Sequence, residues 1–200
     1  MQEPKIYTTE EWGASPVSHG FIKRIALGIV VHNTEGANRA PKASVDDEKE
    51  KAFEVARGIQ KDHHNRGFSD TGQHFTISRG GLILEGRHGS IAAAREGRVV
   101  QGAHAKSPTP EHDRANRRFF GIELEGDNRA EDKVTAQQFS ALVELCSWLS
   151  FWGHFDSQNI VPHLAVLPGH TDCPGEFVNQ IPDLIQKVHL RKLEILEVNG

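Results

Sequence analysis

From Ile25 to His32 the chain is apolar at nearly every position, a run fit for a strand buried on both faces. A polar stretch from Asn33 to Pro41 follows it. The pattern then changes to a helical period. Ser44 can cap the start, Asp46, Asp47 and Glu48 suit the positive end of the dipole, and Gly67 is a stop signal. Phe53, Ala56, Ile59 and His63 trace the expected inner face. Short strands are predicted at His74–Ser78, at Leu82–Gly86 after the Gly80-Gly81 turn, and at Gly121–Glu125. Thr135 with Gln138 forms a capping box for a second helix, lined by Phe139, Leu142, Val143, Cys146 and Leu149 and stopping near Gly153. A third helix is expected from about Pro182 towards Val198. No repeat, low-complexity tract or linker interrupts this order. The reading is an α/β fold in a single domain over residues 1–200, core about 10–190, with a mixed central β-sheet flanked by helices.

Composition narrows the function classes. The net charge of -4 argues against a nucleic-acid surface and gives no reason to expect anionic membranes as a partner. No apolar run approaches a membrane span, and Met1 to Tyr7 lacks the pattern of a signal peptide. The chain is therefore expected either in the cytoplasm or released by another route. Two cysteines are too few for a disulfide scaffold; Cys146 falls in a helical stretch and Cys173 in a loop.

The chemistry-bearing residues sit where the pattern breaks. His32 ends the first apolar run, and His163, His170 and Cys173 crowd the last loop region. Two histidines and a cysteine would give a metal three protein ligands and leave a fourth position open, the arrangement of catalytic rather than structural zinc. His163 and His170 compete for the second place.

Several stretches together carry a family resemblance. They are Val30-Val31-His32-Asn33, Ile59 to Phe75, Leu84-Glu85-Gly86-Arg87, Gly102-Ala103-His104-Ala105 and Gly121-Ile122-Glu123-Leu124-Glu125-Gly126, closed by His163-x9-Cys173-Pro174-Gly175. In this order they resemble the zinc-dependent N-acetylmuramoyl-L-alanine amidases of the peptidoglycan-recognition-protein superfamily, over most of the chain. The resemblance implies one Zn2+ held by His32, His163 and Cys173. It implies hydrolysis of the amide between N-acetylmuramic acid and L-alanine in peptidoglycan or muropeptides; a monomer is expected. The alternative is a recognition protein that binds muropeptide without cutting it; such members typically lose a zinc ligand, and this chain keeps all three.

The same comparison makes Glu123 the general base, with Glu125 on the same strand face. Thr171 stands at the family's cationic position two residues before the last ligand, and with His170 it is expected to assist zinc in holding the oxyanion. His104, Arg87 and Gln73 are the expected substrate-side residues. Arg87 has a second reading as a partner of Glu85. Gln73 stands where many members carry a catalytic tyrosine, so a phenol mechanism is closed to this chain. His74 is read as structural, and His63 and His64 as helix-end cations that need no function.

Overall fold

The computed structural model describes residues 1–106, 113–128 and 133–198. The chain runs through β1 (Ile6–Tyr7), β2 (Lys23–Ile25), β3 (Gly28–Asn33), α1 (Val45–Asn65), β4 (Phe75–Ile77) and β5 (Ile83–Glu85). It continues through α2 (Ser90–Arg95), β6 (Arg98–Val100), α3 (Arg114–Arg118), β7 (Phe119–Leu124), α4 (Ala136–Trp152), β8 (Ile160–Pro162) and α5 (Ile181–Val198). Six strands form one mixed sheet in the order β1-β5-β4-β7-β3-β8, in which only β4 and β5 run antiparallel. β2 and β6 make a separate antiparallel pair.

The apolar run at Ile25–His32 is therefore two elements. Ile25 pairs with Arg98 in the small sheet, while β3 begins at Gly28 in the large one. Glycine is required at that change of sheet. A Cβ on Gly28 would collide with the Asn159 carbonyl and the Phe119 ring. From Gly28 onwards β3 is buried at every position, as the run predicts.

Alternation along β3 and β7 divides their side chains between two faces. Ile29, Val31, Phe120, Ile122 and Leu124 enter the main core, where Leu142, Leu145, Cys146 and Leu149 of α4 and Leu184 and Val188 of α5 cover them. Val30 packs on the other face with Ala105 and Ala115. His32 and Glu123 follow Val30 and Gly121 in this alternation, so they lie on the face away from the main core.

Helix α1 starts at Ser44, whose hydroxyl accepts the Asp47 N–H, and the chain leaves it through Gly67 at φ 85°. Its buried stripe is Glu48, Ala52, Ala56, Gln60 and His63. Phe53 and Ile59 of the expected inner face are only half-buried, on the flanks of that stripe. The reason is tertiary: polar Glu48 and Gln60 find partners beneath the helix, whereas Ile59 lines an open cleft. Helix α4 carries the predicted capping box, with Thr135 Oγ1 accepting the Gln138 N–H and Gln138 Oε1 accepting the Thr135 N–H. The buried Gln138 amide also donates to Glu125 O at 2.9 Å, tying the helix start to the end of β7. Cys146 and Cys173 are both free thiols. No described helix is long and apolar enough to cross a membrane.

Candidate metal centre

Three adjacent parallel strands, β7, β3 and β8, end at the same edge of the sheet. Their carboxyl ends deliver Glu123, His32 and His163, the last immediately after Pro162 closes β8. Such edges are where open α/β sheets place their sites, because the strands hold the side chains rigidly while loops supply the rest. Glu123 is the register partner of His32, so their side chains stand beside each other on one face. Cys173 arrives on the following loop and is fastened there twice. Its carbonyl accepts the Leu164 N–H at 2.8 Å, and its sulfur accepts the Asn33 N–H at 3.3 Å.

One donor atom each from His32, His163 and Cys173 lies within 4.8 Å of the other two. The two imidazoles have centroids 4.3 Å apart, and Cys173 Sγ faces His32 Nδ1 at 3.9 Å. Burial drives the pKa of His32 far below its ordinary value and lowers that of His163, so both rings are neutral donors. Burial also pushes the Cys173 thiol up to about 12, with the nearby Glu123 and Glu35 carboxylates adding to the rise. A divalent cation reverses that preference, since a coordinated thiol is deprotonated outright. Two neutral imidazoles and one thiol that a cation would ionise are the donor set zinc takes. His170 is exposed and outside this group; it is His163 that reaches it.

The centre forms one end of a cleft of about 730 Å³. The wall opposite the sheet is α1, through Lys51, Val55, Ile59, Asp62 and Arg66. Glu123 and Thr171 line the same cleft. Burial pushes the Glu123 carboxyl up to about 8, outweighing the opposing pull of Arg66. Thr171 Oγ1 accepts the Cys173 N–H at 3.1 Å, which leaves its hydroxyl hydrogen available to a ligand.

The remaining predicted site residues are placed differently. Arg87 is buried outside the cleft lining, where it donates to Thr71 O at 2.8 Å and Gln101 O at 3.0 Å and lies over the Phe21 ring. It does not pair with Glu85, whose carboxylate accepts the Ile91 and Thr9 N–H groups instead. Gln73 is also buried outside the lining, its amide donating to Thr76 Oγ1 at 3.0 Å. His104 does line the cleft, but Nδ1 lies 3.0 Å from His32 Nε2 and Nε2 lies 3.2 Å from Phe119 O. His74 is wholly buried, with its ring held between Val100 O and the Gly121 N–H. His63 likewise accepts the Gly72 N–H at 2.9 Å, a fixed structural contact rather than a free helix-end cation.

Arg39, in the polar stretch after β3, is clasped by Glu48 of α1 and Glu125 beyond β7 at 2.6 to 2.9 Å. The clasp ties the cleft's loop to both of its walls. Glu125 lies 86 residues beyond Arg39, and no local pattern announces the clasp.

The fold and the three-donor centre define the class: an α/β domain with a His/His/Cys group able to hold a metal ion at the carboxyl ends of parallel strands. The chain belongs to the N-acetylmuramoyl-L-alanine amidase family, whose profile matches residues 23–176. Among solved structures it is similar to the endolysin N-acetylmuramoyl-L-alanine amidase LysCS from Clostridium intestinale URNW. The two are 28% identical over 92% of this chain and 97% of that one, with a TM-score of 0.62. It is also similar to Drosophila PGRP-LB, with 25% identity over 87% of this chain and 89% of that one and a TM-score of 0.65. A variant of PGRP-LB solved in complex with tracheal cytotoxin is 27% identical over 86% and 88%, with a TM-score of 0.64. None of the curated proteins compared with the chain matches it.

Proposed function

We propose that this protein is a zinc amidase that cleaves the bond between N-acetylmuramic acid and L-alanine, with residues 1–200 forming a single catalytic domain. The observation that carries the reading is the meeting of His32, His163 and Cys173 donors within 4.8 Å beside Glu123, at the end of an open cleft. Family membership and the similarity to an endolysin amidase support the reaction type.

His32, His163 and Cys173 would hold one Zn2+, which when bound acidifies water and polarises the scissile carbonyl. Glu123 does the proton work. Burial favours its acid form and a bound cation would favour its carboxylate, so Glu123 can take a proton from the attacking water and, as the acid, give that proton to the leaving alanine nitrogen. The Thr171 hydroxyl lines the cleft and can donate to the carbonyl oxygen as negative charge develops on it. The α1 wall, with Ile59 and Val55 between Lys51 and Arg66, offers apolar and cationic surface to a peptide bearing carboxylates. Of the cleft's carboxyls, Glu123 is the one paired in register with His32, which supports it as the acid–base group.

The test is digestion of purified muropeptides with mass detection, beside elemental analysis of the protein, for the wild type and Glu123→Gln. About one zinc per chain in both, and free stem peptide released far more slowly by the variant than by the wild type, are expected. Zinc without cleavage would instead make the protein a muropeptide-binding relative. Absence of zinc would sink the reading.

A further inference from the structure

His104 stands in the cleft wall, yet neither of its ring nitrogens is open to a ligand. Nε2 faces the Phe119 carbonyl at 3.2 Å and Nδ1 faces His32 Nε2 at 3.0 Å. A carbonyl can only accept, so Nε2 of His104 carries the hydrogen. In the neutral ring Nδ1 is then a lone pair, and it must be His32 that donates, from Nε2. That fixes the His32 tautomer. Its remaining lone pair is on Nδ1, the nitrogen that faces Cys173 Sγ.

We propose that His104 is the positioning residue of the metal centre: it passes the polarity of a fixed backbone carbonyl through its own ring to His32, and so holds His32 Nδ1 as the ligand. The proposal rests on the zinc reading above and gives His104 a role other than substrate contact. Metal-bound histidines commonly donate their second nitrogen to a carboxylate or carbonyl. Here a second imidazole stands between histidine and carbonyl.

The surroundings of the ring are built to keep it in place. The His104 and Ala105 N–H groups both donate to Asn116 Oδ1, at 2.7 and 3.0 Å, and the Asn116 amide returns a bond to Ala105 O at 2.6 Å. His74 meets the ring edge-on with centroids 5.4 Å apart. Two glycines make room for it. A Cβ on Gly102 would lie 2.8 Å from His104 Cδ2, and a Cβ on Gly121 would run into the ring itself. A side chain that only filled space would not need a directed bond on each nitrogen.

The experiment measures zinc affinity by competition with a chromophoric chelator, together with the visible spectrum of the cobalt-loaded protein. The variants are His104→Asn, His104→Gln and Gly121→Ala. Asparagine can place an acceptor oxygen where Nδ1 stands, and glutamine can reach the Phe119 side but offers His32 no acceptor at that place. We expect His104→Asn to bind zinc within about threefold of wild type. His104→Gln should lose about 10- to 100-fold and shift the cobalt spectrum. Gly121→Ala should reproduce the loss with every ligand and His104 intact; Gly102→Ala replaces it if that protein does not fold. Equal affinities for Asn, Gln and wild type would overturn the proposal and leave His104 a space-filling residue. Wild-type protein that binds zinc tightly but cleaves nothing would defeat the amidase reading without touching this one.

Discussion

His32 and Glu123 owe their adjacency to the register of two parallel strands, so each can be changed with little effect on the other's backbone. Glu123→Gln keeps shape and hydrogen-bonding capacity but cannot move a proton. It should lower turnover of muropeptide by about 10²- to 10⁴-fold while zinc content stays at the wild-type level, which elemental analysis beside the kinetic assay would check. Cys173→Ser should behave the other way. The sulfur sits among fixed partners, Asn33 N–H and His32 Nδ1, and a serine hydroxyl there is a far poorer zinc ligand. Zinc content after dialysis should fall well below one per chain, with activity lost in parallel. The proposed ligands are legible because each borders a recognisable stretch, His32 at the end of an apolar run and Cys173 before Pro174-Gly175. Arg87, by its place at a strand end, and Gln73, by the family resemblance, are expected at the substrate, yet both are buried outside the cleft lining. Their motifs mark strand ends, and a strand end does not say which way the side chain turns.

At the scale of elements, the strongest local signals were the helix starts. Ser44 and Thr135 cap α1 and α4 with hydroxyl-to-N–H bonds of 3.0 Å, and both were readable three residues ahead. Gln138 does more than its local pattern states, because the same amide closes the box and reaches the carbonyl after β7. Gln138→Leu should therefore cost about 1–3 kcal/mol, measured by urea unfolding, since it strips partners from buried backbone groups as well as weakening the cap. Ser44→Ala, at an exposed cap, should cost only about 1 kcal/mol. The elements the sequence did not show are β1, β2, β6, β8, α2 and α3. Four are strands of two or three residues, too short to display an alternation, and the two helices have six and five residues. They exist because neighbouring strands and loops supply partners for their backbone.

Across the whole molecule, the Arg39–Glu48–Glu125 clasp joins the cleft loop, α1 and the sheet edge. Burial works against the ionised Glu48, but bonds from Arg39 and from the Lys42 and Gly80 N–H groups outweigh it and bring its pKa down to about 2. A carboxylate depressed on folding stabilises the native state above its unfolded pKa of about 4.3, and the contribution fades as pH falls towards 2. The expected result is a steep loss of stability in urea melts between about pH 4.5 and pH 2, much shallower in Glu48→Gln. On the zinc reading, the metal would add a second handle on stability. A chelator should lower the midpoint of thermal unfolding of the zinc-loaded wild type, because zinc binds the folded site and not the separated ligands, and it should leave Cys173→Ser unmoved.

The sequence by itself determined the α/β class, the two capped helices, the buried strand that ends in His32 and the family to which the chain belongs. Those properties reside in periodicity, capping chemistry and short ordered stretches, all of which are local. The tertiary structure decided which nitrogen of His32 faces the sulfur and that Arg39 is held between carboxylates of two other elements. Each of these depends on strand order and on the direction in which side chains leave the backbone. Parallel pairing of β7, β3 and β8 brings Glu123, His32 and His163 together from positions 91 and 131 residues beyond His32, and nothing in the spacing along the chain encodes that proximity.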